Sequence, residues 1–147
     1  MASRKNSSNA FWPTFGNRAD AQQAMKGSAA ASWVVAAINL GIGLFLIFSP
    51  PGTGASYGMS GAMVIDGTIF ALIGWGIWRY SLIGAIAGFA FFSLEKIYQF
   101  STQPKAAFGI FLAVVLWMAF LNGVRGALAL RQFERAAAPV AADPETP

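Results

Sequence analysis

Four apolar runs constrain the fold of this chain more than any other feature of the sequence. They cover residues 29–48, 61–78, 81–100 and 106–124. Each is close to the ~20 residues that a helix rising about 1.5 Å per residue needs to cross ~30 Å of hydrocarbon. Buried helices of a water-soluble domain are a poor alternative, because these runs leave almost no polar face to meet water. The runs predict an all-α membrane protein with four transmembrane helices.

The composition agrees with lipid as the solvent. Apolar residues make up 56% of the chain and charged residues 11%, whereas a soluble domain carries about 25% charged residues. We divide the chain into a polar, interfacial N-terminal segment at 1–24, a transmembrane domain at 25–131 and a disordered C-terminal tail at 132–147. Asn17 followed by Asp20 resembles a helix N-cap with an acidic first turn, so we expect the first helix to begin near Arg18.

The links between the runs predict how the helices are arranged. Residues 49–60 are rich in Pro and Gly, Arg79 and Tyr80 alone separate the second and third helices, and residues 101–105 separate the last two. Short links place sequential helices side by side. We therefore expect an up-down bundle.

Basic residues predict the orientation. One side of the membrane would hold eight of the ten Lys and Arg residues: Arg4, Lys5, Arg18, Lys26, Arg79, Arg125, Arg131 and Arg135. The other side would hold Lys96 and Lys105. Lys and Arg are retained on the cytoplasmic side of a membrane. Both termini are therefore predicted to be cytoplasmic.

The inventory of reactive residues argues against several chemistries. The chain has no Cys and no His, which removes disulfides, thiolate nucleophiles and the common zinc and haem ligands. No Ser or Thr has a base at catalytic spacing. We expect no enzyme activity, no catalytic residues, no metal and no cofactor. The net charge of +4 is explained by membrane orientation, so we expect no nucleic acid partner.

Three charged residues lie inside the predicted helices. Asp66 in the second helix and Glu95 with Lys96 in the third share a depth, if these helices form an antiparallel hairpin. A lone charge deep in hydrocarbon costs about 2.5–3.5 kcal/mol on insertion scales, and pairing Lys96 with Asp66 or with Glu95 would offset much of that cost. The structural interpretation is an ion pair near the membrane surface that fixes helix register. The functional interpretation is a proton or cation site.

Polar residues on the other helices extend this candidate network. Asn39 lies near the middle of the first helix, where an amide usually forms a hydrogen bond across a helix interface; binding of a solute is the alternative. Asn122 and Arg125 lie near the inner end of the fourth helix. We interpret Arg125 as an interfacial anchor whose guanidinium reaches the headgroups, with binding of a lipid or of a partner as the alternative.

Each predicted helix carries two small residues four positions apart, a spacing that lets helices approach closely in lipid. The pairs are Ala37 with Gly41, Gly67 with Ala71, Gly84 with Gly88, and Gly123 with Ala127. Gly84 and Gly88 have the GxxxG form and are the candidate packing face. Packing inside the bundle is the first interpretation, and a docking face for a second protein is the alternative.

Three segments carry a resemblance to a known group of proteins. They are residues 66–81 (DGTIFALIGWGIWRYS), 95–97 (EKI) and 122–126 (NGVRG). With them the chain resembles small bacterial four-helix membrane proteins of unassigned function, over residues 18–131. The resemblance implies a bacterial inner-membrane location and no particular activity. The small multidrug transporters, which also have four spans, differ because their essential acid lies in the first helix.

Two functions follow as hypotheses. The first is a non-enzymatic accessory or assembly subunit of a larger membrane complex, with membrane lipid and other integral subunits, or further copies of the chain, as partners. The second is a homo-oligomeric channel or transporter for a small solute, protons or cations, using the intramembrane charges.

Overall fold

A computed structural model describes residues 12–50, 57–102 and 110–137 of the chain. These residues form four helices: α1 (Arg18–Phe48), α2 (Tyr57–Trp78), α3 (Leu82–Thr102) and α4 (Ile110–Ala137). The links at 51–56 and 103–109 and the two terminal segments lie outside the described residues.

The start of α1 follows from its capping residues. Asn17 has extended backbone angles, and its side chain accepts a hydrogen bond of 2.9 Å from the backbone N–H of Asp20. The carboxylate of Asp20 in turn accepts a bond of 3.2 Å from the N–H of Gly16. The first of these bonds satisfies an N–H that the first helical turn leaves free, and the second ties the residue before the cap to that turn. The predicted start near Arg18 is confirmed.

Both long helices extend beyond their apolar runs. α1 has 31 residues and begins eleven positions before residue 29. α4 has 28 residues and continues to Ala137, so residues 132–137 of the expected disordered tail are helical. The reason is tertiary contact: the first turns of α1 and the last turns of α4 bury Ala21, Met25 and Leu130 against neighbouring residues.

The α2–α3 link is a tight turn, as its length predicted. The N–H of Tyr80 donates to the carbonyl of Ile77 at 2.8 Å, and the N–H of Ser81 donates to that of Gly76 at 3.1 Å. Tyr80 has φ 59°, so the pair of bonds and the left-handed residue form a Schellman motif. The hydroxyl of Ser81 then caps α3 by accepting from the N–H of Gly84 at 3.2 Å.

The four helices pack in a ring in which α1 contacts α2 and α4, and α3 contacts the same two helices. α1 and α3 lie diagonally opposite and touch only slightly. Three fully buried rings fill the centre: Phe70 of α2, Phe92 of α3 and Phe120 of α4. Their centroids lie 5.2–6.2 Å apart, within the range for favourable aromatic pairs.

Glycines set the closest helix contacts. A methyl group added at Gly67 of α2 would lie 2.9 Å from the backbone nitrogen of Leu40 in α1, and one at Gly126 of α4 would lie 2.8 Å from the carbonyl oxygen of Ala21. The pair of small residues predicted on α1 does not make such a contact. Ala37 and Gly41 are exposed, and a methyl group at Gly41 would meet nothing within 4 Å.

Three of the four helices are long and apolar enough to cross a membrane. The segments are Arg18–Phe48 of α1, Ser60–Trp78 of α2 and Ile110–Ala137 of α4. α3 is not among them. Its second half carries Glu95, Lys96 and Gln99, which lower its mean hydropathy. The prediction of a membrane protein therefore has support from three helices.

Candidate functional site

Asn39 of α1 and Asp66 of α2 meet across the interface of their helices. The side-chain amide of Asn39 donates a short hydrogen bond to a carboxylate oxygen of Asp66, and both residues are partly buried. Their neighbours in sequence explain the contact. Gly67 packs on the backbone of Leu40, and this close approach brings the two polar side chains within reach of each other.

Glu95 and Lys96 form an ion pair on α3. The Lys96 ammonium lies 3.0 Å from Glu95 Oε1 and also donates to Gln99 Oε1 at 3.0 Å. The side chains of Lys96 and Glu95 are 23% and 29% exposed. The ammonium also lies 5.2 Å from the centroid of the Phe92 ring, over which it stacks. Lys96 is thus held by residues of its own helix.

Of the two pairings considered for Lys96, the structure shows the one with Glu95. Asp66 and Lys96 make no ion pair within 4.0 Å. Asp66 faces Asn39 on α1, whereas the Lys96 side chain runs along α3. Glu95 Oε2 is buried without a hydrogen-bond partner in the described part of the chain.

Asn122 and Arg125 of α4 belong to a different part of the molecule. The Asn122 side-chain oxygen accepts a bond of 3.2 Å from Arg125. The neighbouring Gly123 packs against Ser28 of α1. Ser28 and Asn39 are eleven residues apart, or about 16 Å along a helix. The structure brings these six polar residues together in three pairs: Asn39 with Asp66, Glu95 with Lys96, and Asn122 with Arg125.

Arg125 also contacts the segment that precedes α1. Its guanidinium carbon lies 3.8 Å from the centroid of the Trp12 ring and 5.5 Å from that of Phe15. It donates a hydrogen bond of 3.3 Å to the carbonyl of Pro13. The sequence predicted an interfacial N-terminal segment and did not indicate that Arg125 contacts it. The partnership joins positions 112 residues apart, and no local pattern reports such a contact.

Gly84 and Gly88 of α3 lie at contacts inside the molecule. A methyl group added at Gly84 would lie 3.0 Å from the carbonyl carbon of Gly76 in α2. One added at Gly88 would lie 2.7 Å from Ile73 of α2 and 3.1 Å from the ring of Phe120 in α4. In this structure the GxxxG face of α3 is therefore occupied by the other helices of the same chain.

Among residues 12–50, 57–102 and 110–137, no three Asp, Glu, Cys or His side chains lie together as a metal site would require. In comparisons with known proteins, no family model, curated protein or solved structure matches the chain. The resemblance to small bacterial four-helix membrane proteins stays an expectation.

Proposed function

We propose that all four helices cross a bacterial inner membrane, with α3 as the fourth span and both termini cytoplasmic. The 21 residues of α3 extend about 31 Å, enough to cross the hydrocarbon core. The bonds from Lys96 to Glu95 and Gln99 satisfy several of its polar atoms. That pairing reduces the cost of placing them near lipid.

The position of the α2–α3 turn supports this orientation. The Lys26 ammonium of α1 lies 5.9 Å from the Trp78 ring at the end of α2, so Arg79 lies at the same end of the bundle as the start of α1. Alkaline phosphatase fused after Gly54 should be active, and the same enzyme fused after Pro147 should be inactive. Activity of the fusion after Pro147 would contradict the orientation.

Within that membrane, we propose that the chain is a non-enzymatic accessory or assembly subunit. The observation that carries this proposal is a face of α1 that no other described helix covers. Ala30, Val34, Ala37 and Gly41 recur at helical spacing and are all exposed. The space beside Gly41 is open. Small residues at such spacing let a second helix approach closely in lipid, where no hydrophobic force drives association.

Purification in a mild detergent, followed by mass determination, tests the proposal. We expect the wild-type chain to elute with other integral membrane proteins in a defined ratio. Gly41→Leu should release them, because the added side chain fills the space that a partner helix would occupy. Ala90→Leu is the matched control, since Ala90 is an exposed small residue on α3. A pure self-oligomer, or equal retention of partners in both variants, would contradict the proposal.

A second function, a proton or cation transporter, is favoured by one observation. Asp66, Glu95 and Lys96 carry two negative charges and one positive charge when all are ionised, and Glu95 Oε2 has no hydrogen-bond partner among the described residues. A bound proton or cation would balance them. Asp66→Asn should then insert and fold normally while abolishing pH-dependent flux into liposomes. Absence of flux with the wild-type chain would exclude this alternative.

A further inference from the structure

Arg125 is a cation whose charge the described part of the chain covers but does not neutralise. The guanidinium is stacked on Trp12 at 3.8 Å and lies 5.5 Å from the Phe15 centroid. Its two hydrogen bonds go to neutral oxygens, the carbonyl of Pro13 and the amide of Asn122. No carboxylate of the described residues lies within 4.0 Å of it. A partly buried ion without a counter-ion is unfavourable.

We propose that Arg125 and Trp12 form a binding site for the phosphate of a membrane phospholipid. The guanidinium has five N–H donors in a planar fork that matches phosphate oxygens. Two of the donors are used within the chain, which leaves three for a ligand. The indole N–H of Trp12 makes no hydrogen bond to described residues, and Trp12 is 55% exposed. It is a further donor beside the same cation.

The site is held in place from both sides. The capping bonds of Gly16 and Asn17 with Asp20 fix the segment that carries Trp12 to the start of α1. The bond from Arg125 to Pro13 fixes the segment to α4. A prearranged site loses less entropy when a ligand binds than a flexible one does.

The location selects the ligand. Arg125 lies in the second half of α4, towards the end of the bundle where Arg18 pairs with Glu134 at 3.4 Å. Under the membrane placement proposed above, on which this inference rests, this end lies at the headgroup level. Tryptophan and arginine are both favoured there. Phosphate is the anion that every phospholipid presents at that depth, and Arg binds phosphate through paired hydrogen bonds.

Native mass spectrometry of the full chain tests the site. The chain is incubated in detergent micelles with phosphatidylglycerol, and the fraction that retains one lipid is measured. We expect Arg125→Gln to lower the binding constant for the lipid about tenfold, equivalent to ~1.4 kcal/mol. Arg131→Gln is the matched control, because it removes the same charge from an exposed position on α4. Retention should be unchanged in the control.

Two further arms separate the explanations. Inorganic phosphate at the same concentration should not displace the lipid, since it lacks acyl chains. Trp12→Leu should lower retention of the lipid severalfold. If Arg125→Gln fails to fold, Trp12→Leu alone tests the site. Equal retention in Arg125→Gln and wild type, equal loss in Arg131→Gln, full displacement by inorganic phosphate, or unchanged binding by Trp12→Leu would each overturn the proposal. The orientation of the chain is tested separately by the alkaline phosphatase fusions.

Discussion

Replacing Asn39 and Asp66 by alanine, singly and together, tests the polar contact that joins α1 to α2. The amide of Asn39 donates to the carboxylate of Asp66, and both side chains are partly buried. A hydrogen bond between membrane helices contributes about 0.6–2 kcal/mol. Asn39→Ala leaves the carboxylate without its donor, so its cost should lie at the upper end, about 2 kcal/mol. Asp66→Ala removes the buried charge together with the bond and should cost less. The double variant should show a coupling free energy of about 1 kcal/mol.

Reversible unfolding in mixed micelles of mild detergent and dodecyl sulfate, followed by tryptophan fluorescence, measures these free energies. The matched comparison is a second cycle with Asp66→Ala and Lys96→Ala. Its coupling should stay below about 0.5 kcal/mol, because the two ions are not in contact and Lys96 is held by Glu95. A larger coupling for Asp66 with Lys96 than for Asp66 with Asn39 would refute the pairing that the structure shows. It would restore the direct ion pair considered from the sequence.

Three further substitutions test the packing and the helix ends by the same unfolding assay. Gly84→Ala should destabilise the protein by about 1–3 kcal/mol because its methyl group would meet backbone at 3.0 Å. Gly41→Ala places its methyl group in open space and should not destabilise the protein. Equal effects of the two substitutions would contradict the α2–α3 contact. Phe120→Ala should lower the free energy of unfolding by about 3–5 kcal/mol through the cavity it leaves at the centre of the bundle. Phe111→Ala, at a site 81% exposed, should lower it far less. Similar losses of stability in the two variants would argue against the aromatic core. Asn17→Ala should cost about 1 kcal/mol through loss of the α1 cap, and no measurable change would show that this end does not limit stability.

Much of the local structure could be predicted from the sequence because it depends on nearby residues. Asn17 and Asp20 mark the start of α1, since a capping side chain needs only the N–H groups of the next turn. The two-residue link at Arg79 can only be a tight turn. The apolar runs locate the cores of the helices, because the cost of exposing apolar side chains to water is a property of each run. The full length of α4 was not predictable, because its polar end is stabilised by contacts with α1.

The partners of Asp66 and Arg125 were decided by the tertiary structure alone. Sequence position gives the depth of Asp66, Glu95 and Lys96 along their helices. It does not give the rotation of each helix about its axis, which depends on how all four helices pack together. That rotation turns Asp66 towards Asn39. The contact of Arg125 with Trp12 has the same origin: it joins residues far apart in the sequence, and only the folding of the segment before α1 against α4 brings them together.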